Sequence, residues 1–183
     1  MLSKGRELVA AALLAALTAV GAQLAIPLPL VPVTLQTLFV YLAGLVLRPS
    51  YALLSEAVYL AVGLLGFPVF AGGRSGLSVA LSPTFGYLLA FPLAAWIIAR
   101  TGGQALGSLA RIVRACVVGA LSILALGVVY LWISTRYILG APLGIRQAVW
   151  AGAVIFLPGE TLKVACAVIL ARRLWPLVET RSH

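Results

Sequence analysis

Charged residues are scarce in this chain. They make up 9% of its 183 residues, whereas hydrophobic residues make up 63%, and the mean hydropathy is +1.13. So little polar surface cannot cover a soluble globule of this size. The composition therefore excludes a soluble domain and predicts an integral membrane protein, with residues 1–183 forming a single transmembrane domain.

Clustered metal or redox ligands are also missing from the sequence. The two cysteines, Cys116 and Cys166, lie in apolar runs without a C-x-x-C spacing, and the single histidine is His183. A zinc or redox site needs several such ligands at close spacing. We therefore interpret both cysteines as buried, inert thiols and expect no cofactor.

Nucleotide-binding signatures are absent as well. No G-x-x-x-x-G-K-[ST] motif occurs, and no polar stretch is long enough for a nucleotide-binding domain. Any active transport must therefore obtain its energy from another subunit. The formal net charge of +9 would suggest nucleic acid in a soluble chain, but here basic residues are spread between apolar segments. They are interpreted as signals of membrane topology.

The apolar segments predict an all-α protein with six transmembrane helices. Their approximate limits are residues 8–26, 33–47, 51–65, 83–99, 115–135 and 147–174. A signal peptide is the alternative for the first segment, because Lys4 and Arg6 precede it. Its uncharged run exceeds the roughly 7 to 15 residues usual for a signal peptide, and more spans follow. We therefore interpret it as a mature helix.

The basic residues predict the orientation of these spans. Because the number of spans is even, both termini lie on one side. The opposite side holds only Arg74, Arg136 and Arg146. Because basic connections stay in the cytoplasm, the termini are expected to be cytoplasmic. The proline-rich segment 26–32 and the glycine-rich connection 66–76 should then face outward. The nine basic residues on the side of the termini are Lys4, Arg6, Arg48, Arg100, Arg111, Arg114, Arg172, Arg173 and Arg181.

Small residues recur along the first helix. Ala11, Ala15 and Ala19 are four residues apart, with Ala12 and Ala16 alongside. Small side chains let a second helix approach closely in a membrane, although alanine is frequent in any membrane helix. We expect the ridge of Ala11, Ala15 and Ala19 to contact a partner protein.

An acid and a base interrupt the last apolar segment. Glu160 and Lys163 are three residues apart, so both side chains lie on one face of a helix. Each unpaired charge at the centre of a bilayer costs about 2.5 to 3.5 kcal/mol, so the two must pair or face a polar cavity. Pro158 and Gly159 predict that the helix bends or restarts just before them. The pair can form part of a binding site, or it can be an ion pair that only joins two helices.

Several polar, aromatic and glycine residues are predicted to share the outward side with this pair. They come from the start of the second span, the glycine-rich connection and the start of the fourth span. Such a set suits a small, mostly apolar molecule with a few hydrogen-bonding groups and a carboxylate. The candidates are Thr34, Gln36, Phe70, Gly72, Gly73, Arg74 and Tyr87.

Two further features lie in the third and fourth spans. Ser82 and Pro83 are typical of an N-cap and a first helical residue, so the fourth helix is expected to begin at Pro83. Glu56 lies inside the third span, where it can be protonated, paired with a base or part of a docking surface. The sequence leaves these alternatives for Glu56 open.

Four motifs, in order along the chain, closely resemble the BioY family. They are LVPVTLQTL at 30–38, GLLGFPVFAGG at 63–73, PTFGYL at 83–88 and PGETLK at 158–163. That family comprises the substrate-binding S components of energy-coupling factor (ECF) transporters for biotin. The resemblance implies a six-helix protein of a prokaryotic cell membrane that captures biotin from outside. It also implies a complex with a transmembrane coupling protein and two cytoplasmic ATPases.

The resemblance implies roles for particular residues. The ureido ring of biotin has two N–H donors and a carbonyl acceptor, which match a carboxylate at Glu160 and a cation at Lys163. Arg74 is the candidate partner of the valerate carboxylate. Phe70 and Tyr87 are candidates for walls around the thiophane ring, with ordinary packing as the alternative for both.

Some positions depart from the family pattern. Glu160 replaces the usual aspartate of Pro-Gly-Asp-x-x-Lys, and the loop usually written Gly-Gly-x-Gly-Gly reads GGRSG at 72–76. Ser82 and Ala90 replace glycines near the third motif. These changes keep the chemistry of the site but alter its expected geometry.

Two other functions are considered. An S component for another small vitamin would share this architecture. An intramembrane enzyme would use Glu160 as an acid or base near Lys163, but no nucleophile–base pair or metal cluster accompanies them. The protein is therefore not expected to be an enzyme.

Overall fold

The computed structural model describes residues 4–28, 30–103, 108–141 and 143–179. Pro29 of the proline-rich segment and Arg181, one of the basic residues expected on the cytoplasmic side, lie outside these ranges. Within them, the apolar segments form α-helices joined by short 3₁₀ turns and one small antiparallel sheet. The elements are α1 (Lys4–Gln23), β1 (Ala25–Ile26), β2 (Val33–Thr34), α2 (Gln36–Val46), α3 (Pro49–Leu64), α4 (Phe85–Ile98), α5 (Leu109–Tyr137), α6 (Ile145–Gly152) and α7 (Leu157–Glu179).

The prediction of an all-α membrane protein with six helical segments is confirmed, with α6 and α7 together forming the sixth. Four segments are long and apolar enough to cross a membrane: α1, α4 with the π-helical turn after it, α5, and the stretch Ile145–Leu174. The helices α2 and α3 are shorter. At about 1.5 Å per residue, α2 extends for only roughly 16 Å, because the chain before it pairs as strand β2.

Close helix packing positions the site. The helix α4 lies against α3 and α5, and α2 contacts α1, α4 and α7. A side chain at Gly86 on α4 would overlap Tyr130 of α5, so glycine is required at this crossing. As a result, the first turn of α2 lies beside the start of α7.

The two ends of the bundle differ in character. At one end, Arg48 before α3 pairs with Glu7 at the start of α1, with 3.2 Å between Arg48 Nε and Glu7 Oε1. At the other end, β1 pairs with β2, matching Ala25 to Thr34. The connection between α3 and α4 lies at this second end, because Gly76 N donates to Gly63 O near the end of α3.

One helix boundary differs from the sequence predictions, and another agrees with them. The fourth helix begins at Phe85 rather than at Pro83, because Ser82 and Thr84 bond to each other, 2.9 Å between their hydroxyl oxygens, in the turn before it. In the last span, α6 ends with its C-cap at Ala153, whose φ and ψ are −133° and −56°, and the helix restarts as α7 at Leu157, beside the predicted Pro158. Pro158 is the second residue of α7. A backbone N–H at this position would have no acceptor within the helix, so proline breaks no helical hydrogen bond there.

The alanine ridge of α1 packs inside the chain, which corrects its expected contact with a partner. Ala11 and Ala15 are 2% and 6% exposed, and Ala19 is partly buried. Ser55 on α3 donates its hydroxyl to the Ala11 carbonyl at 2.9 Å, so small residues here allow α1 and α3 to meet. The exposed alanines of α1 are instead Ala12 and Ala16.

Glu56 is fully buried between α1 and α3, so it is not part of an exposed docking surface. Thr18 on α1 donates to its Oε1 at 3.2 Å. Its Oε2 has no hydrogen-bond partner among the described residues. Among the described residues, the hydrogen bond that joins the Glu56 side chain to another helix is therefore the one from Thr18.

Candidate ligand-binding cleft

A cleft opens at the end of the bundle opposite the Glu7–Arg48 pair. Its empty space, counted together with the solvent at its open mouth, is about 600 Å³. Most of the wall is apolar, and it includes Val31, Leu88, Phe91, Ile123, Leu124 and Phe156. The cleft also brings together these residues proposed from the sequence: Thr34, Gln36, Phe70, Arg74, Tyr87, Glu160 and Lys163.

Glu160 and Lys163 form an ion pair inside the cleft wall, with 7% and 6% exposure. Lys163 Nζ also donates to the Thr34 carbonyl oxygen at 3.1 Å and to the Thr37 hydroxyl at 2.6 Å. Glu160 in turn accepts from Thr37 at 3.1 Å and from the Tyr41 hydroxyl. The pair therefore joins α7 to α2, as expected of an ion pair between helices, and it also lines the cleft.

The hydrogen-bond inventory of this pair leaves room for a ligand. An ionised carboxylate has about four acceptor positions, and an ammonium has three donors. Glu160 Oε1 accepts from Lys163 and Thr37, and Oε2 accepts from Tyr41, so one position on Oε2 remains. The three donors of Lys163 have protein partners. The arrangement can therefore accept one further N–H at the carboxylate without breaking a bond.

Arg74 lies at the mouth of the cleft on the connection between α3 and α4. Its Nε donates to Ala71 O at 3.2 Å, and its two terminal nitrogens lie 3.1 Å from Ser82 Oγ and 3.4 Å from Thr84 Oγ1. These partners are neutral, and no ion pair to Arg74 is found among the described residues. The guanidinium is therefore held in place while its charge remains available to an anion.

Gly72 and Gly73 do not line the cleft. They form the 3₁₀ turn at 71–73 with φ of 71° and 70°, a conformation that favours glycine. This turn is closed by a hydrogen bond from Phe70 N to Arg74 O at 3.1 Å, and the side chains of both residues line the cleft. The two glycines thus act on the site through the loop conformation.

The two aromatic residues predicted as walls are both held by packing. Phe70 is 1% exposed, and its ring lies against Gly63 on α3, where a Cβ would overlap it. Tyr87 on α4 donates its hydroxyl to Gly152 O at 2.7 Å, and its ring lies 6.3 Å from that of Phe156. Both therefore pack as core residues while one side of each borders the cleft.

Two tyrosines that the sequence did not point to support the site. Tyr41 on α2 bonds Glu160, and Tyr59 on α3 accepts from Gln36 Nε2 at 2.6 Å. Neither lines the cleft directly. The spacing of four between Thr37 and Tyr41 places them on one helical face and was a usable signal.

The fold and the cleft together define a helical membrane protein with a small-molecule binding site. The chain belongs to the BioY family, whose model matches residues 1–180. Several relatives match over nearly their whole length, so the resemblance extends well beyond the four motifs.

A probable biotin transporter BioY of Pyrococcus horikoshii is 39% identical over 171 residues, covering 93% of this chain and 97% of that protein. The biotin transporter BioY of Thermotoga maritima is 37% identical over 169 residues, covering 92% and 95%. A crystal structure of the S-component for biotin from an ECF-type ABC transporter matches with a TM-score of 0.80 and 24% identity, covering 96% of this chain and 95% of that one. The chain therefore has the fold of an S component.

Proposed function

We propose that this protein is the biotin-binding subunit of an ECF-type uptake transporter. The observation that carries the proposal is the buried Glu160–Lys163 pair in the wall of an otherwise apolar cleft. The names of the relatives in Pyrococcus horikoshii and Thermotoga maritima support biotin as the ligand. Members of the BioY family are transporter components rather than enzymes, so the ligand is expected to leave chemically unchanged.

In this proposal the ureido ring of biotin binds at the ion pair. A ring N–H donates to the remaining acceptor position on Glu160 Oε2, and the ring carbonyl lies toward Lys163, which gives up one protein partner to donate to it. Both groups are already paired and desolvated, so binding does not require an unpaired charge to be buried. This is why the pair serves both the helix contact and the ligand.

The rest of the molecule follows from the shape of the cleft. The thiophane ring lies between Phe70 and Tyr87, where apolar burial contributes about 25 cal/mol per Å². The valerate carboxylate reaches the mouth and pairs with Arg74, whose present partners are neutral oxygens. Thr34 and Gln36 complete the polar side of the cleft. Gly72 and Gly73 allow the connection 66–76 to close over the ligand.

The subunit is proposed to lie in the cell membrane of a prokaryote as a multi-pass protein with cytoplasmic termini and the cleft facing outward. The excess of basic residues at the end that carries Arg48 supports this orientation. Uptake then depends on a transmembrane coupling protein and two ATPases, because the sequence contains no nucleotide-binding motif. The exposed Ala12 and Ala16 of α1 are the proposed contact with the coupling protein.

The proposal is tested by reconstituting the subunit with its coupling module in vesicles. Labelled biotin should accumulate only when ATP is supplied to the ATPases, and excess unlabelled biotin should abolish the signal. Competition by another vitamin at lower concentration than biotin would favour the alternative S component. Recovery of chemically altered biotin would favour an enzyme.

A further inference from the structure

A chain of hydrogen bonds runs from the cleft wall to the glycine-rich connection. Thr34 Oγ1 donates to Gln36 Oε1 at 2.8 Å, and Gln36 Nε2 donates to the Tyr59 hydroxyl oxygen at 2.6 Å. Tyr59 then donates its own proton to the Val69 carbonyl oxygen at 3.3 Å. In this series, Gln36 and Tyr59 each accept one hydrogen bond and donate the next. Thr34 and Gln36 line the cleft, whereas Val69 belongs to the connection.

The ring of Tyr59 also contacts the apolar wall. It meets the Phe70 ring edge to face, with 5.6 Å between centroids, and stacks on Phe91 at 6.4 Å. Phe70 and Phe91 both line the cleft, but Tyr59 itself does not. Tyr59 itself is buried, with 2% exposure. It therefore holds one wall residue of the cleft and one carbonyl of the connection at the same time.

The connection is also tied to the helices by Gln23 and by the backbone bond from Gly76 N to Gly63 O at 2.8 Å. Gln23 at the end of α1 lies 3.4 Å from Pro68 O and 3.3 Å from Phe70 O through a single Nε2 atom. The first of these bonds is exposed, so water competes with it. The second is part-buried, like the bond from Tyr59 to Val69 O, but the Tyr59 hydroxyl differs in that it also bonds Gln36 in the cleft wall.

We propose that Tyr59 is a positioning residue that couples occupancy of the cleft to closure of the connection 66–76. A ligand that bonds Gln36 fixes its amide, and hydrogen bonds in a buried chain strengthen one another. The Tyr59–Val69 bond then tightens and holds Phe70 against the ligand. Tyr59 acts on ligand release without touching the ligand. The identity of the ligand, biotin, rests on the proposed function.

The test compares Tyr59→Phe with Tyr51→Phe. Both changes remove one hydroxyl from α3, but Tyr51 lies at the other end of that helix, away from the connection. Tyr59→Phe should speed biotin dissociation about fivefold, equivalent to about 1 kcal/mol, as expected for one hydrogen bond, with little change in the association rate. Amide hydrogen exchange of 66–76 should also become faster without ligand, while the other helices stay unchanged. Tyr51→Phe should alter neither.

Unchanged dissociation and unchanged loop exchange in Tyr59→Phe would overturn the proposal. Faster exchange spread evenly over all helices would also overturn it, because it would indicate a general loss of stability. Failure of the unaltered protein to bind biotin would count against the proposed function instead. In that case, exchange of the ligand-free loop still decides whether Tyr59 positions it.

Discussion

The ion pair in the cleft wall can be removed one charge at a time or as a whole, and the two experiments give different information. Lys163→Met alone leaves the Glu160 carboxylate buried, with Thr37 and Tyr41 as its remaining donors. Uncompensated charges of this kind typically destabilise a protein by about 3 to 5 kcal/mol. Either single variant is therefore expected to lose stability, whatever the pair does for the ligand.

The double variant Glu160→Gln with Lys163→Met separates the two roles. It removes both charges at similar volume, and such replacements are often neutral or stabilising. The amide oxygen that the Glu160→Gln change introduces can still accept from Tyr41. We therefore expect the thermal midpoint to recover toward that of the unaltered protein.

Biotin affinity should not recover with stability. Loss of one or two charge-assisted hydrogen bonds removes about 1.5 to 3 kcal/mol, which corresponds to roughly 10- to 150-fold weaker binding. Thermal unfolding and biotin titration of the same purified samples provide both measurements. Arg136→Met, which removes an exposed charge outside the cleft, is the control and should change neither. Normal biotin affinity in the stable double variant would refute the ligand role of the pair.

Three further outcomes are expected. Gly127→Ala should lower the free energy of unfolding by about 1 to 3 kcal/mol, because the new methyl group overlaps the buried ring of Tyr87. Gly5→Ala has open space and should not, so equal thermal midpoints for the two variants would contradict this. Arg74→Met should weaken biotin binding about tenfold but leave binding of biotin methyl ester nearly unchanged, and equal losses for both ligands would exclude the carboxylate contact. Ala12→Trp should preserve biotin binding and prevent co-purification with the coupling protein, whereas Ala15→Trp should destabilise the subunit itself. Normal assembly of the Ala12→Trp variant would contradict the proposed contact.

The existence and order of the helices could be predicted because long apolar runs have one stable solution in a bilayer. The contact between Glu160 and Lys163 also followed from sequence, since a spacing of three on a helix and the cost of unpaired charge point to the same pairing. The start of α7 was predicted in place, but as either a bend or a restart of the helix. Proline favours a first helical turn as well as a bend, and Pro158 occupies the first role.

The direction of the small residues on α1 was the principal error. In a soluble protein, hydrophobicity separates the inner face from the outer face, but lipid accepts Leu13 and Val20 as readily as a protein core does. The sequence therefore showed a ridge of alanines without showing which side it faced. Tyr41 and Tyr59 were missed for a related reason, because a tyrosine in an apolar helix shows its partner only once the neighbouring helices are placed.

Equilibrium binding of biotin to the purified subunit, in detergent or lipid discs, tests the central proposal most directly. Calorimetric titration should show saturable binding of one biotin per subunit without the coupling protein or ATPases, and the double variant of Glu160 and Lys163 should lose most of it. Absence of saturable biotin binding by a folded subunit, or tighter binding of a different vitamin, would contradict the assignment of this cleft to biotin.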